Sequence, residues 1–232
     1  MTYYYLKKLR SRMLDRTARR ARRDERRLRA VLRATLRTDT HTIDVGAHKG
    51  LFLADLVRCA PYGRHLAYEP LPDLATALAR QFPTVEVRNA ALSDHAGSTT
   101  FQHVVDRPAL SGIRRRLDVA EGDVTEIEVP LERLDDSLPP GMRPGFIKVD
   151  VEGAELEVFR GAREVLREFR PTVVFEHGEL GAGAYDATPG EVHALLAEAG
   201  LRIYDLSGSG PFGRAEFEHL FATHAGWNWV AR

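Results

Sequence analysis

From residue 42 onward, short apolar runs alternate with longer stretches in which apolar side chains recur every three or four residues. The first run predicts a strand at about 42–46, followed by a helix over about 49–59. A second strand at about 65–69 leads to a helix that opens at Pro72, a good first-turn residue, and closes before Pro83. A third strand covers about 84–90. Two β-like segments, 99–104 and 124–130, enclose a polar loop with Ser111, Gly112 and the triplet Arg114 to Arg116. The fourth strand lies at 146–150. Leu156, Val158, Phe159, Ala162, Val165, Leu166 and Phe169 then form one apolar stripe at helical spacing. A fifth strand at 172–176, a glycine-rich loop, a helix at 189–199, a strand at 201–206, a short helical piece near 214–222 and a last strand at 227–231 complete the pattern. Strand–helix alternation on this scale predicts an α/β domain over 39–232, with a mostly parallel sheet and helices on both faces.

Residues 1–38 read differently. No Gly or Pro interrupts 3–37, and Arg, Leu and Ala dominate, which favours a basic N-terminal helix. Apolar residues gather at its two ends, and the middle, 15–27, has no heptad seam for a coiled coil. Three readings stay open: a solvated helix docked at its ends, an arm that contacts an anionic surface, and a dimer arm that makes the chain a homo-oligomer. Aromatic residues are not interleaved among the arginines, which disfavours single-stranded nucleic acid.

Composition narrows the class. The 232 residues, 44% hydrophobic and 28% charged, suit one sizeable α/β domain. No apolar run could cross a bilayer, and no secretory signal is visible, so a cytoplasmic protein is expected, with a peripheral position at a membrane as the alternative. The single cysteine, Cys59, excludes an internal disulfide. The formal charge of zero hides an asymmetry. Residues 1–37 hold 14 Lys/Arg against 3 Asp/Glu, and the remainder holds 19 against 30.

The chemistry gathers where strands end. In parallel sheets, ligands sit at the carboxyl ends of the strands. Asp44 and the Gly46–Gly50 turn close the first strand and Glu69 the second. Asn89 ends the third, Asp150 the fourth with Glu152 and Glu155 beyond it, and Glu176-His177 the fifth. A turn between strand and helix followed by an acid about twenty residues on is the layout of a nucleotide-type cofactor site. A dinucleotide needs a second glycine where His48 stands, so a nicotinamide-type oxidoreductase is the weaker alternative. Asp44, two residues before Gly46, suits an amine-bearing ligand such as S-adenosylmethionine (SAM) better than a pyrophosphate.

Asp44-Val45-Gly46-Ala47-His48-Lys49-Gly50, Glu69-Pro70, Asn89 to Asp94, Lys148-Val149-Asp150-Val151-Glu152-Gly153-Ala154-Glu155 with Gly161-Ala162, and Glu176 together resemble the FkbM-type SAM-dependent methyltransferases. The resemblance covers roughly residues 40–178. It implies a Rossmann-like class I methyltransferase fold, with a seven-stranded sheet whose last strand is antiparallel. It also implies methyl transfer to a hydroxyl oxygen of a sugar, glycan or natural-product acceptor. On this resemblance Asp44, Gly46, Ala47, Gly50 and Asp150 border the methionine end of SAM, Glu69 accepts its ribose hydroxyls, and Asn89 and Ala90 line its adenine. Asp150, Glu152, Glu155, Glu176 and His177 surround the acceptor. His177 and the carboxylates are the candidates for the base that removes the hydroxyl proton. His48, Ser111 and Glu155 are candidates for acceptor contact. A divalent metal on Asp150, Glu176 and His177 is a less favoured alternative, because no tight ligand spacing supports it. A third functional reading, a binding module acting through the Arg-rich arm, also stays open.

Overall fold

The structure is a computed structural model and describes residues 23–232. The arm's N-terminal apolar cluster and half of its arginines therefore lie outside the described residues. A helix, α1 (23–35), opens the described chain. Then come β1 (His41–Val45), α2 (Leu51–Cys59), β2 (His65–Tyr68), α3 (Pro72–Gln81), β3 (Val85–Arg88), β4 (Ala91–Leu92) and β5 (Gly97–Val104). After a loop come β6 (Val124–Glu132), α4 (Leu134–Ser137), β7 (Pro144–Val149), α5 (Glu155–Arg160), α6 (Arg163–Phe169) and β8 (Thr172–Glu176). The chain finishes with α7 (Glu179–Ala182), α8 (Pro189–Glu198), β9 (Ile203–Asp205), α9 (Arg214–Ala222) and β10 (Asn228–Ala231).

Seven strands form one sheet in the order β3-β2-β1-β7-β8-β10-β9. All pairings among the first five are parallel, and β10 runs antiparallel to both β8 and β9. The mostly parallel sheet and its reversed last strand agree with the sequence. From β1 the order runs outward through β2 and β3, then resumes on the other side of β1 with β7. The junction of β1 and β7 is thus the topological switch point, where strand ends leave a crevice.

Two apolar cores flank the sheet. One lies under α5, α6, α8 and α9 and is built on Ile43, Val45, Ile147, Phe159, Phe175 and Trp229. The other holds Leu53, Leu56, Ala67, Leu78, Phe146 and Val174. Leu32 of α1, 1% exposed, is inserted in this second core, with Leu28, Val31 and Leu36 packed around it. The end of the basic arm is thereby part of the domain's packing.

Two local differences from the sequence pattern have physical causes. The run at 84–90 ends early as β3, and the next residues form β4, which leaves for a small second sheet, β4-β6-β5. The apolar stripe at 156–169 spans two helices. At the break, a Cβ on Gly161 would stand 1.9 Å from the Ser93 carbonyl oxygen, so the chain can pass only as glycine.

Candidate functional site

The turn after β1 is shaped by crowding. Gly46 has φ +79°, and a Cβ there would lie 2.0 Å from the Asp150 carbonyl oxygen, so β1 and β7 converge on bare backbone. His48 follows with φ +50°, also left-handed. The His48 N–H donates to Glu69 Oε2 at 2.7 Å, and the Leu71 N–H donates to Glu69 Oε1 at 2.9 Å. Both oxygens of the β2 acid are thus anchored by amides, and each keeps a further lone pair for a ligand. Burial pushes Glu69 above the usual carboxylate value, and the two amide bonds oppose that shift.

Beneath the turn lies an ion cluster that spans the switch point. Lys148 Nζ stands 3.3 Å from Asp44 Oδ1 and 3.3 Å from Asp150 Oδ2, and donates to the Gly46 carbonyl at 3.0 Å. Burial alone would depress the lysine, but the two carboxylates hold it above its ordinary value. Asp44 is fully buried, and burial outweighs Lys148 to raise its carboxyl. Neither Asp44 oxygen makes a hydrogen bond among the described residues, and the same holds for His48 Nε2. Burial, with Lys49 and Lys148 nearby, lowers the His48 imidazole below its ordinary value.

A cavity of about 300 Å³ opens above this cluster. Gly46, Ala47, His48 and Glu69 line it, together with the apolar Leu71, Ala90, Leu92 and Phe101. Asp150, Glu152 and Ser111 add polar groups to the lining. Leu28 of α1 joins the wall, so the arm's end borders the cavity directly. Glu152 sits in a left-handed conformation, φ +58°, followed by Gly153 at φ +115°. A non-glycine residue held in that region is a strained position of the kind found at functional sites. Its carboxylate is paired with Arg116, which also bonds Asp118. Burial first and Asp150 second push Glu152 up to about 7, against the pull of Arg116.

The acids and histidine expected around the acceptor divide into two layers. Asp150 and Glu152 reach the cavity, as do Gly46, Ala47, His48, Glu69, Ala90 and Ser111. Asp44, Gly50, Asn89, Glu155, Glu176 and His177 do not line it. Gly50 instead caps α2 with φ +73°. Asn89 Nδ2 donates to the carbonyls of Glu69 (3.0 Å) and Pro70 (2.8 Å), so it braces the acid's loop. His177 is 0% exposed, stacks near Phe217 and Phe221, and sets Nδ1 3.3 Å from Glu155 Oε2. Glu155 Oε1 accepts from the Gly153 N–H at 3.0 Å. Glu176 is held well above the ordinary carboxylate value by burial, with Asp150, Glu152 and Glu155 adding to it. Among the described residues, no group of three or more His, Cys, Asp or Glu is placed to hold a metal ion.

Sequence reasoning missed Lys148 as the hub of the cluster, although a lone lysine in the apolar run Phe146-Ile147-Lys148-Val149 was the available signal. It also missed Leu28, Leu71 and Phe101, which no local pattern marks. Arg116, the last of the arginine triplet in the polar loop, has its side chain 11% exposed and engaged by Glu152.

Comparison with known proteins agrees with this geometry. A family model described as the methyltransferase FkbM domain matches residues 44–203. The methyltransferase sdnD of Sordaria araneosa is 30% identical over 201 residues, 72% of this chain and 76% of that protein. The AMB antimetabolite synthetase AmbE of Pseudomonas aeruginosa is 27% identical over 206 residues, 72% of this chain but 10% of the synthetase. The crystal structure of an FkbM methyltransferase from Methylobacillus flagellatus superposes with a TM-score of 0.51 at 17% identity, covering 85% of this chain and 44% of the other, a likeness of fold. The site also fits the cofactor of that family. SAM carries an ammonium, a sulfonium and ribose hydroxyls but no phosphate. The cavity-wall acceptor Glu69, with lone pairs to spare, calls for donors, and the His48 side chain stands where a pyrophosphate would need bare backbone. The chain belongs to the FkbM methyltransferase family and is a SAM-dependent methyltransferase of the class I fold.

Proposed function

We propose that the chain methylates a hydroxyl oxygen of a small natural-product or sugar acceptor, and that Glu152 takes up the hydroxyl proton. The observation that carries this reading is Glu152 itself: a strained cavity-wall carboxylate whose proton affinity lies at about 7. A hydroxyl acceptor needs a base, and a base works best when its pKa lies near the working pH. His177 lies outside the cavity wall with its imidazole turned to Glu155, so we move the base role from it to Glu152.

SAM, when bound, supplies an electrophilic methyl group on its sulfonium. The chain's residues would do the rest by placement. Glu69 would hold the ribose hydroxyls, and Leu71, Ala90, Leu92 and Phe101 would bed the adenine. Asp150 would face the ammonium end, with Asp44 buried behind it on the far side of Lys148. Ser111 and His48 border the room left for the acceptor. Holding two reactants in line supplies much of the catalysis in such a transfer. Similarity to a segment of an antimetabolite synthetase supports a natural-product acceptor.

The test is incubation with SAM and fractionated small-molecule extracts, followed by mass identification of the product. A methyl ether is expected, and loss of turnover in Glu152→Gln with SAM affinity unchanged by calorimetry. A methylated nitrogen or carbon overturns oxygen transfer. Full turnover by Glu152→Gln across about pH 6 to 8 overturns the base role.

A further inference from the structure

The outer face shared by α1 and α2 has no part in the chemistry above, yet it borders the cavity. Asp55 of α2, 7% exposed, accepts from Arg29 of α1 (Nε to Oδ2, 3.1 Å) and from Arg58 of α2, and so ties the two helices together. Leu51 lies one turn before Asp55 and Arg58 one turn after it, on one side of α2. On α1 the same spacing sets Arg26 and Arg33 on either side of Arg29. Both are exposed, and neither forms an ion pair with another described residue. Tyr62, just past α2, donates its N–H to the Thr38 carbonyl at 2.8 Å, which sets it beside the end of α1. Leu51 and Tyr62 are 83% and 81% exposed, the most exposed large apolar side chains among the described residues. Leu51 and Leu28 also line the cavity.

We propose that this face seats the protein on an anionic phospholipid surface, with Leu51 and Tyr62 entering the headgroup layer and Arg26, Arg33 and Arg58 meeting lipid phosphates. Exposed leucine and tyrosine within a basic rim are the composition of an interfacial membrane contact. The remainder of the chain sets the orientation. Residues 38–232 carry 19 Lys/Arg against 30 Asp/Glu, so an anionic bilayer repels the body of the protein and attracts this face. A second copy of the chain would set arginine against arginine. A nucleic acid would find one aromatic platform, Tyr62, and no use for Leu51. Seated this way, the cavity opens beside the headgroup layer. The inference stands whether or not the transferred methyl goes to oxygen.

The test is co-sedimentation of the full chain with phosphatidylcholine vesicles, with and without phosphatidylglycerol. Binding only to the anionic vesicles is expected, weakening as salt is raised. The double variant Arg26→Glu/Arg33→Glu should lower the vesicle affinity by about tenfold or more, and Tyr62→Ser should lower it at constant charge. Neither variant touches the cavity wall, so SAM affinity by calorimetry should stay at the wild-type value and report correct folding. Equal binding to neutral vesicles, no vesicle binding, vesicle binding indifferent to both variants, or preference for a single-stranded RNA oligonucleotide would each overturn the proposal.

Discussion

Replacing Lys148 with methionine removes the cation that faces the buried Asp44 carboxylate. The ammonium stands 3.3 Å from Asp44 Oδ1, and the two side chains are 12% and 0% exposed. At an effective dielectric of about 20, unit charges at that separation attract by roughly 5 kcal/mol. Breaking a buried pair by removing one partner typically costs about 3–5 kcal/mol, because the other charge stays buried. Lys148→Met should therefore lose about 3–5 kcal/mol of stability at neutral pH, unless Asp44 takes up a proton. Burial already raises Asp44 with the lysine present, and without it the shift grows. An acid with a raised folded pKa binds protons more tightly when folded. Its contribution is therefore fully present below the unfolded pKa and is lost as pH rises through the folded one. The variant should be less stable at pH 8 than at pH 5, by a margin wild type does not show. Urea denaturation at the two pH values reads this directly. The double variant Asp44→Asn/Lys148→Met, which leaves no buried charge, should recover part of the loss. A single variant that unfolds at the wild-type urea midpoint at both pH values, or a double variant no more stable than the single, would refute the reasoning.

Three further outcomes follow from the site. Glu69→Gln removes a carboxylate anchored by two amides at 2.7 and 2.9 Å, and calorimetry should show SAM affinity falling by about 1.5–3 kcal/mol. Arg116→Ala takes away the cation that holds Glu152 down, so the rise of kcat with pH should move to higher pH than in wild type; an unmoved profile would separate Arg116 from the base. His177→Asn should lower kcat but leave the midpoint of that profile in place, whereas a catalytic His177 would take the midpoint with it.

That Gly46, Glu69 and Asp150 meet at one cavity was legible because their marks are local. Gly46, Glu69 and Asp150 mark strand ends that period and turn residues reveal, and a parallel sheet brings strand ends together whatever the side chains. The features that escaped depend on residues far away in sequence. Gly161 interrupts a helix because Ser93 passes beneath it. Asn89 turns from the cavity to the carbonyls of Glu69 and Pro70, a loop some twenty positions earlier. The predicted helix at 49–59 begins two residues late as α2, since His48 and Gly50 both adopt left-handed backbone. His177 ends a strand, which in sequence suggests a cavity residue, but α9 and β10 close over it. Its carbonyl accepts from Trp229 Nε1 at 3.1 Å and its N–H donates to the Trp227 carbonyl at 2.7 Å.

The run from Asp150 to Glu155 also shows why acids so close in sequence can have different work. Were the chain to continue as a regular helix from Asp150, residues 152 and 155 would share a face. The left-handed pair Glu152–Gly153 breaks that register, sending Glu152 to the cavity and Glu155 inward to His177. Glu155 then bonds back to the Gly153 N–H, closing the turn on itself, while His177 fixes the turn to β8. A Cβ on Gly153 would lie 2.3 Å from the Gly181 carbonyl oxygen, so α7 presses on the turn from outside. Strain at Glu152 is thus held from three sides by groups that never touch the cavity. The buried His177–Glu155 pair would then act by holding a strained neighbour in place, and the base role proposed for Glu152 would rest on that support.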